Sequence, residues 1–83
     1  MPFHVYILHS TAYDQYYIGQ TANLGERISR HNAGMEPSSA RYLPWTLIWS
    51  TAKPDRSAAV VLERKLKNLS RTRLRAFMEK YKE

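Results

Sequence analysis

Residues 3–19, FHVYILHSTAYDQYYIG, decide the fold because they hold two strand patterns separated by a polar turn. Phe3 to Leu8 is rich in β-branched and aromatic residues, and Tyr16 to Gly19 has the same character. The intervening segment is polar and contains Asp14, which is typical of a turn. Because the connection is short, the sequence predicts an antiparallel β-hairpin.

A helix is predicted directly after the hairpin, over residues 23–33. Asn23 is a good N-cap, and Glu26 three residues later gives a pattern close to a capping box. Gly34 is well suited to end the helix. The next segment, 35–44, contains two prolines and two serines, and we predict a loop there.

The rest of the chain predicts one more strand and two more helices. Residues 45–50 form the third strand, with Trp45, Leu47 and Trp49 expected on one face as core residues. Apolar residues then recur at helical spacing in two stretches separated by Ser70, a potential cap. The two stripes are Ala59, Leu62, Leu66 and Leu69, followed by Leu74, Phe77, Met78 and Tyr81.

The predicted order is ββαβαα, an α/β (α+β) fold in which a three-stranded antiparallel sheet is flanked by three helices. The 83 residues are fewer than the roughly 100–150 of a typical domain, so we expect one domain over residues 1–83. There is no cysteine, which excludes a disulfide scaffold and a thiolate metal site. No apolar run could span a bilayer and no signal-peptide pattern is present, so we expect a cytoplasmic protein without a membrane partner.

Positive charge is concentrated in the C-terminal part of the chain. The formal net charge is +6, and residues 53–83 carry ten basic against four acidic side chains, whereas residues 1–52 are balanced. Such a surface attracts polyanions by releasing their counterions. A solvated surface that keeps the protein soluble is an equally good explanation. The candidate DNA-binding residues are Arg30, Arg64, Lys65, Lys67, Arg71, Arg73 and Arg75.

Five side chains could carry chemistry, and each also has an ordinary structural explanation. Tyr6 and Tyr17 could fill a small core with their hydroxyls at its rim. Arg27 and His31 share a face of the first helix because they are four residues apart, and both could be ordinary surface residues. Glu63 could simply pair with the lysine four residues later on its helix.

Taken together, these side chains match what phosphodiester hydrolysis needs. A phenol with a lowered pKa or a histidine can take a proton from water. An arginine can neutralise the phosphoryl oxygens through two hydrogen bonds. A single carboxylate can hold Mg²⁺ or Mn²⁺, which keep most of their water ligands, whereas the three histidines show no zinc spacing.

Two tripeptides, HVY at 4–6 and YIG at 17–19, are separated by ten residues and resemble the paired motif of the GIY-YIG nuclease superfamily. His4 and Val5 replace the Gly and Ile of the first motif. The resemblance continues through most of the chain and is closest to the compact single-domain bacterial members. The matching segments are Thr21-x-Asn23-Leu24-x-x-Arg27-x-x-x-His31-Asn32, Pro44-Trp45-x-Leu47, and Arg56-Ser57-Ala58 followed by Glu63 and Lys67.

The resemblance implies a metal-dependent DNA endonuclease built on a three-stranded antiparallel sheet. By position, Tyr17 would lie near the attacking water, and Tyr6 would support it by hydrogen bonding. Arg27 would hold the scissile phosphate, and His31 would assist proton transfer or bind phosphate. Glu63 would be the sole protein ligand of one Mg²⁺ or Mn²⁺ ion.

The partner that we expect is double-stranded or branched DNA, in repair or recombination, although RNA stays open as a substrate. One alternative is a non-catalytic DNA-binding module, which the altered first motif favours together with Gln20, where many relatives have Lys. Another is an accessory domain that needs a partner protein for specificity. A homodimer formed through an apolar strand face is also left open.

Overall fold

The computed structural model describes residues 2–82, and they form three strands and four helices. The result confirms the predicted three-stranded antiparallel sheet with helices and adds a four-residue helix inside the predicted loop at 35–44. None of the helices in this part of the chain is long and apolar enough to cross a bilayer. The elements are β1 (Phe3–Ser10), β2 (Gln15–Thr21), α1 (Leu24–Asn32), α2 (Pro37–Ala40), β3 (Thr46–Lys53), α3 (Arg56–Lys67) and α4 (Arg71–Lys80).

The helices begin where the sequence supplies a capping side chain. Asn23, Asp55 and Ser70 each accept a hydrogen bond from the backbone N–H three residues later. These bonds satisfy N–H groups that have no partner inside a helix. After α1 the chain turns at Gly34, whose φ of 75° lies in the left-handed region that glycine adopts without strain.

Strand β1 lies in the centre of the sheet, between β2 and β3, and both of its neighbours are antiparallel. The register of β3 shifts beside β1: Ile7 pairs with Trp49, and Leu8 pairs with Leu47. Ile48 is therefore an extra residue in β3, as in a β-bulge. The bulge turns Leu47 and Trp49 to opposite faces, so the prediction that Trp45, Leu47 and Trp49 share one face is wrong.

Because side chains alternate along a strand, β1 supplies a core to both faces of the sheet. Helices α3 and α4 cover one face, which we call the α3 face, and α1 covers the other, the α1 face. The predicted apolar stripes of α3 and α4 provide the helical side of the first core. The buried residues of the α3 face are Val5, Ile7, Trp49, Ala59, Leu66 and Leu74. Those of the α1 face are Tyr6, Leu8 and Trp45, with Tyr17, Leu24, Ile28, Tyr42 and Leu43 packed around them.

Candidate active site

Three rings from different elements meet on the α1 face: Tyr6 from β1, Tyr17 from β2 and His31 from the last turn of α1. The ring centroids of the two tyrosines are 6.3 Å apart, and those of Tyr17 and His31 are 4.6 Å apart. Tyr6 and His31 are fully buried, whereas Tyr17 is half-buried. We call this group the tyrosine–histidine cluster.

The hydroxyl of Tyr6 bonds to His31 in this cluster. Its Oη atom lies 3.0 Å from His31 Nε2, and the other ring nitrogen, Nδ1, lies 2.8 Å from Ser39 Oγ. The Ser39 hydroxyl in turn donates to the backbone carbonyl of Glu36 over 3.3 Å. Sequence reasoning missed Ser39, because a serine in a segment rich in proline and serine looks like any other turn residue.

Burial sets the protonation of the two buried rings. It raises the pKa of Tyr6 to about 12; Tyr17 adds to the rise, and the charge of Arg27 and a side-chain hydrogen bond from it oppose it. Burial also lowers the pKa of His31, with Glu36 opposing the shift and Arg27 and Arg30 adding to it. Both rings are therefore neutral at neutral pH.

Arg27 connects the cluster to an open groove. Its charge acts on the Tyr6 hydroxyl, and it lines a groove of about 350 Å³ where the end of β2 and the start of α1 approach the start of α3. Arg30 lines the same groove, and its Nε atom lies 3.5 Å from Glu36 Oε1. Arg56 at the start of α3 is a third guanidinium there, which we had not selected from the sequence. The sequence does indicate Arg56, because it begins Arg56-Ser57-Ala58, one of the segments that resemble the GIY-YIG superfamily.

Glu63 is not part of the tyrosine–histidine cluster. It lies on α3 between Ala59 and Leu66, on the helix face that packs against the sheet, so it belongs to the α3 face. Its side chain is only 20% exposed, and its Oε2 atom lies 3.5 Å from Lys67 Nζ. An acid in a stripe of core residues is uncommon, and the pair with Lys67 accounts for its burial. Its role as a metal ligand stays a prediction.

The side chains that could bind a metal ion suit an ion that keeps most of its water ligands. Among residues 2–82 no three His, Cys, Asp or Glu side chains cluster in a way that could hold a metal. Gln20 Oε1 is buried without a hydrogen-bond partner in the described structure. Strand alternation places Gln20 on the α3 face, because Tyr16 and Ile18 pack there. The carboxylate of Glu63 and the amide oxygen of Gln20 are oxygen ligands of the kind that Mg²⁺ and Mn²⁺ take, and both ions keep waters.

Besides Arg30, two more of the candidate DNA-binding arginines are engaged within the protein. Arg71 Nη2 lies 2.6 Å from Asp14 Oδ2 at the tip of the hairpin, and Arg75 Nε donates to the Tyr16 hydroxyl over 2.9 Å. Both guanidinium groups also lie over the Tyr16 ring. A hydrogen bond from His9 lowers the pKa of Asp14, and Arg71 and Arg75 add to that effect. These arginines fasten α4 to the hairpin. Of the other candidates, Arg30 and Lys67 pair with acids, and Arg64, Lys65 and Arg73 are exposed.

The family model for the GIY-YIG catalytic domain matches residues 2–81 of this chain. Among solved structures, the chain is similar to the solution NMR structure of the UPF0213 protein BH0048 from Bacillus halodurans. The two share 29% sequence identity with a TM-score of 0.62, and the match covers 95% of this chain and 84% of that one. No curated protein sequence matches the chain.

Proposed function

Because this chain belongs to the GIY-YIG family, a nuclease superfamily, we propose that it is an endonuclease that hydrolyses DNA phosphodiester bonds with the help of one divalent cation. Residues 1–83 would act as one nuclease domain. The observation that carries the proposal is the position of Arg27. Arg27 lines the open groove, and its charge acts on the hydroxyl of Tyr6 in the tyrosine–histidine cluster. A phosphate in that groove would meet a positive charge beside a pair of phenols.

Of the two phenols, Tyr17 is the one that contacts the attacking water. The Tyr6 hydroxyl is fully buried and bonded to His31, whereas Tyr17 is half-buried and therefore the phenol that solvent can reach. Tyr17 in its phenolate form would accept a proton from the water as it attacks phosphorus, and the oxygen that leaves phosphorus would take up a proton from solvent. Tyr6 would keep its own proton, because its pKa is raised to about 12.

The arginines of the groove provide the electrostatic part of the reaction. Arg27 would hold the scissile phosphate and stabilise the negative charge that develops on its oxygens. Arg56 would hold a neighbouring phosphate of the same strand, because it lines the same groove from the opposite helix. Arginine suits this work, since its planar fork binds phosphate through two hydrogen bonds.

Glu63 would hold the cation, assisted by Gln20 Oε1 from the same face of the sheet. The bound ion supplies positive charge on the leaving side of the phosphate. Lys67 already pairs with the Glu63 carboxylate, so a bound ion would share that carboxylate with the lysine or displace it. The resident ion pair is also the observation that favours the second candidate function, a DNA-binding module without catalysis.

Cleavage of supercoiled plasmid in Mg²⁺ or Mn²⁺ tests the proposal. We expect the wild-type protein to nick the plasmid and Glu63→Gln to abolish nicking without loss of DNA binding. The matched control is Glu79→Gln, because Glu79 is an exposed acid on α4 that pairs only locally with Lys82. Nicking by Glu63→Gln at the wild-type rate would refute the metal role.

Parallel assays on other nucleic acids separate the remaining alternatives. Branched DNA, single-stranded DNA and RNA would be offered under the same conditions as the plasmid. Salt-sensitive binding without turnover on any substrate would identify the non-catalytic module. Turnover that appears only after addition of cell extract would identify an accessory domain that depends on a partner protein.

A further inference from the structure

A chain of hydrogen bonds runs through the interior from Tyr6 to His31 and Ser39, and it ends on the carbonyl of Glu36. The three side chains are fully buried, so water does not substitute for any of these bonds. The two ends of the chain have fixed roles. The guanidinium of Arg27 can only donate, and a backbone carbonyl can only accept.

The accepting end fixes the direction of the inner bonds. Ser39 has one hydroxyl proton, which it donates to the Glu36 carbonyl. Its oxygen can then only accept from His31, so the proton of the neutral imidazole must lie on Nδ1. The bare Nε2 nitrogen must accept, and the Tyr6 hydroxyl is its donor.

The donating end agrees with this direction. Once the Tyr6 proton is directed to His31, the lone pairs of the Tyr6 oxygen are free to accept from Arg27. The opposite tautomer would place an Nε2–H group against the Tyr6 oxygen. That group and the Arg27 guanidinium would then compete for the same acceptor.

We propose that Ser39 is a positioning residue that holds His31 in the Nδ1–H tautomer and, through Tyr6, orients Arg27 toward the groove. Its effect on rate rests on the proposed nuclease activity, whereas its effect on the tautomer does not. Ser39 contacts no substrate in this arrangement. It acts through two aromatic side chains on the guanidinium that binds phosphate.

The charged and titratable groups around His31 are compatible with a neutral ring. Tyr6 and Tyr17 face it from the sheet, Arg27 and Arg30 from its own helix, and Glu36 from the segment before α2. The one carboxylate among them, Glu36, is held by Arg30. A second proton on His31 would also have to lie on Nε2, where it would displace the Tyr6 proton.

The tautomer can be read directly from the wild-type protein by NMR. Long-range ¹H–¹⁵N correlation of protein labelled with ¹⁵N-histidine distinguishes a protonated from a bare ring nitrogen, and a His31→Gln sample assigns the signal. We expect protonated Nδ1 and bare Nε2 at neutral pH. A protonated Nε2 in the wild-type protein would overturn the proposal, whatever the variants do.

Ser39→Ala and Ser39→Thr give the matched pair of variants. The alanine variant removes the acceptor of the Nδ1 proton, so we expect the Nε2–H tautomer to appear, with kcat reduced roughly tenfold and KM changed less than about twofold. The threonine variant keeps the hydroxyl, and we expect it to restore the Nδ1–H signal. An alanine variant that folds with tautomer and kcat unchanged would contradict the role of Ser39.

The two readouts separate this proposal from the proposed function. Nδ1–H in the wild type with no turnover on any nucleic acid leaves the tautomer assignment standing and removes the nuclease activity. Turnover by a wild-type protein whose His31 carries its proton on Nε2 would remove the tautomer assignment and leave the nuclease activity standing. If the buried threonine perturbs folding, the wild-type spectrum and the alanine variant still decide the question.

Discussion

The hydroxyl oxygen of Tyr6 lies 2.5 Å from the position that a Cβ atom on Gly19 would occupy, and the ring carbon Cζ lies 2.7 Å from it. The two residues face each other across the β1–β2 ladder. The hydrogen bond to His31 holds the ring in place, so the ring cannot move aside without losing that bond. Gly19 is therefore required by the tyrosine across from it and not by an unusual backbone conformation.

We predict that Gly19→Ala displaces the Tyr6 ring and lowers the free energy of unfolding by about 1–3 kcal/mol. Urea denaturation measures the change. Gly25→Ala is the matched control, because a Cβ at Gly25 on α1 meets open space. It should be neutral or stabilising by up to about 1 kcal/mol, as for alanine in a helix. Equal effects of the two substitutions would contradict the steric explanation.

We predict that substitution of Arg27 changes kcat, whereas substitution of Arg56 changes the salt dependence of DNA binding. Arg27→Ala should lower kcat more than tenfold, about 1.4 kcal/mol or more of transition-state stabilisation. Arg56→Ala should leave kcat nearly unchanged and reduce the slope of log K against log salt by about 0.9, the value for one phosphate contact. Binding titrations over a salt series measure the slope, with Lys80→Ala as the control outside the groove. An unchanged slope in Arg56→Ala would exclude the second phosphate contact.

The lowered pKa of His31 predicts a loss of stability in mild acid. The unfolded chain takes up a proton near the ordinary pKa of 6.5, whereas the folded protein does so only at lower pH. The unfolded state therefore binds more protons below this value, and stability falls as the pH drops. The slope reaches at most about 1.4 kcal/mol per pH unit. His31→Gln should lose this slope in denaturation series, and His9→Gln should keep it.

Asn32 joins the end of α1 to the start of β3. Its Oδ1 atom accepts from the backbone N–H of Trp45 over 2.8 Å, and its Nδ2 donates to the Trp45 carbonyl over 3.0 Å. Asn32→Asp replaces the donor by an oxygen that faces the carbonyl, so we expect a loss of about 1–3 kcal/mol in thermal or urea unfolding. Asn68→Asp at the exposed end of α3 should cost less than about 1 kcal/mol. A loss in Asn32→Asp no larger than in this control would contradict the role of the paired bonds.

Local patterns in the sequence were enough to predict the strands and the long helices. The β-branched and aromatic residues of β1 and the capping residues Asn23 and Ser70 are local properties of the sequence, and the structure confirms the elements that they predict. Helix α2 is only four residues long, which is too short to show a helical period. Its segment therefore has the pattern of a loop, and the pattern does not single out Ser39.

The remaining differences depend on pairing between distant segments. The extra residue Ile48 exists only relative to the register of β1, and β3 by itself reads as an ordinary alternating strand. The sequence motifs selected Tyr6, Tyr17, Arg27 and His31, and the structure brings these four together. It packs α3, the helix that carries Glu63, against the other face of the sheet, because the side of the sheet that a helix covers is set by the chain crossover and not by helical spacing.

The bulge in β3 also bears on how the protein behaves at high concentration. β3 is an outer strand, and two apolar side chains there, Leu47 and Ile48, are 38% and 42% exposed. A regular, flat strand with these residues would be a template for edge-to-edge aggregation. The additional residue twists the strand and breaks the even spacing of its free amide and carbonyl groups. Deleting Ile48 would therefore straighten this edge of the sheet and increase the tendency of the protein to form fibrils.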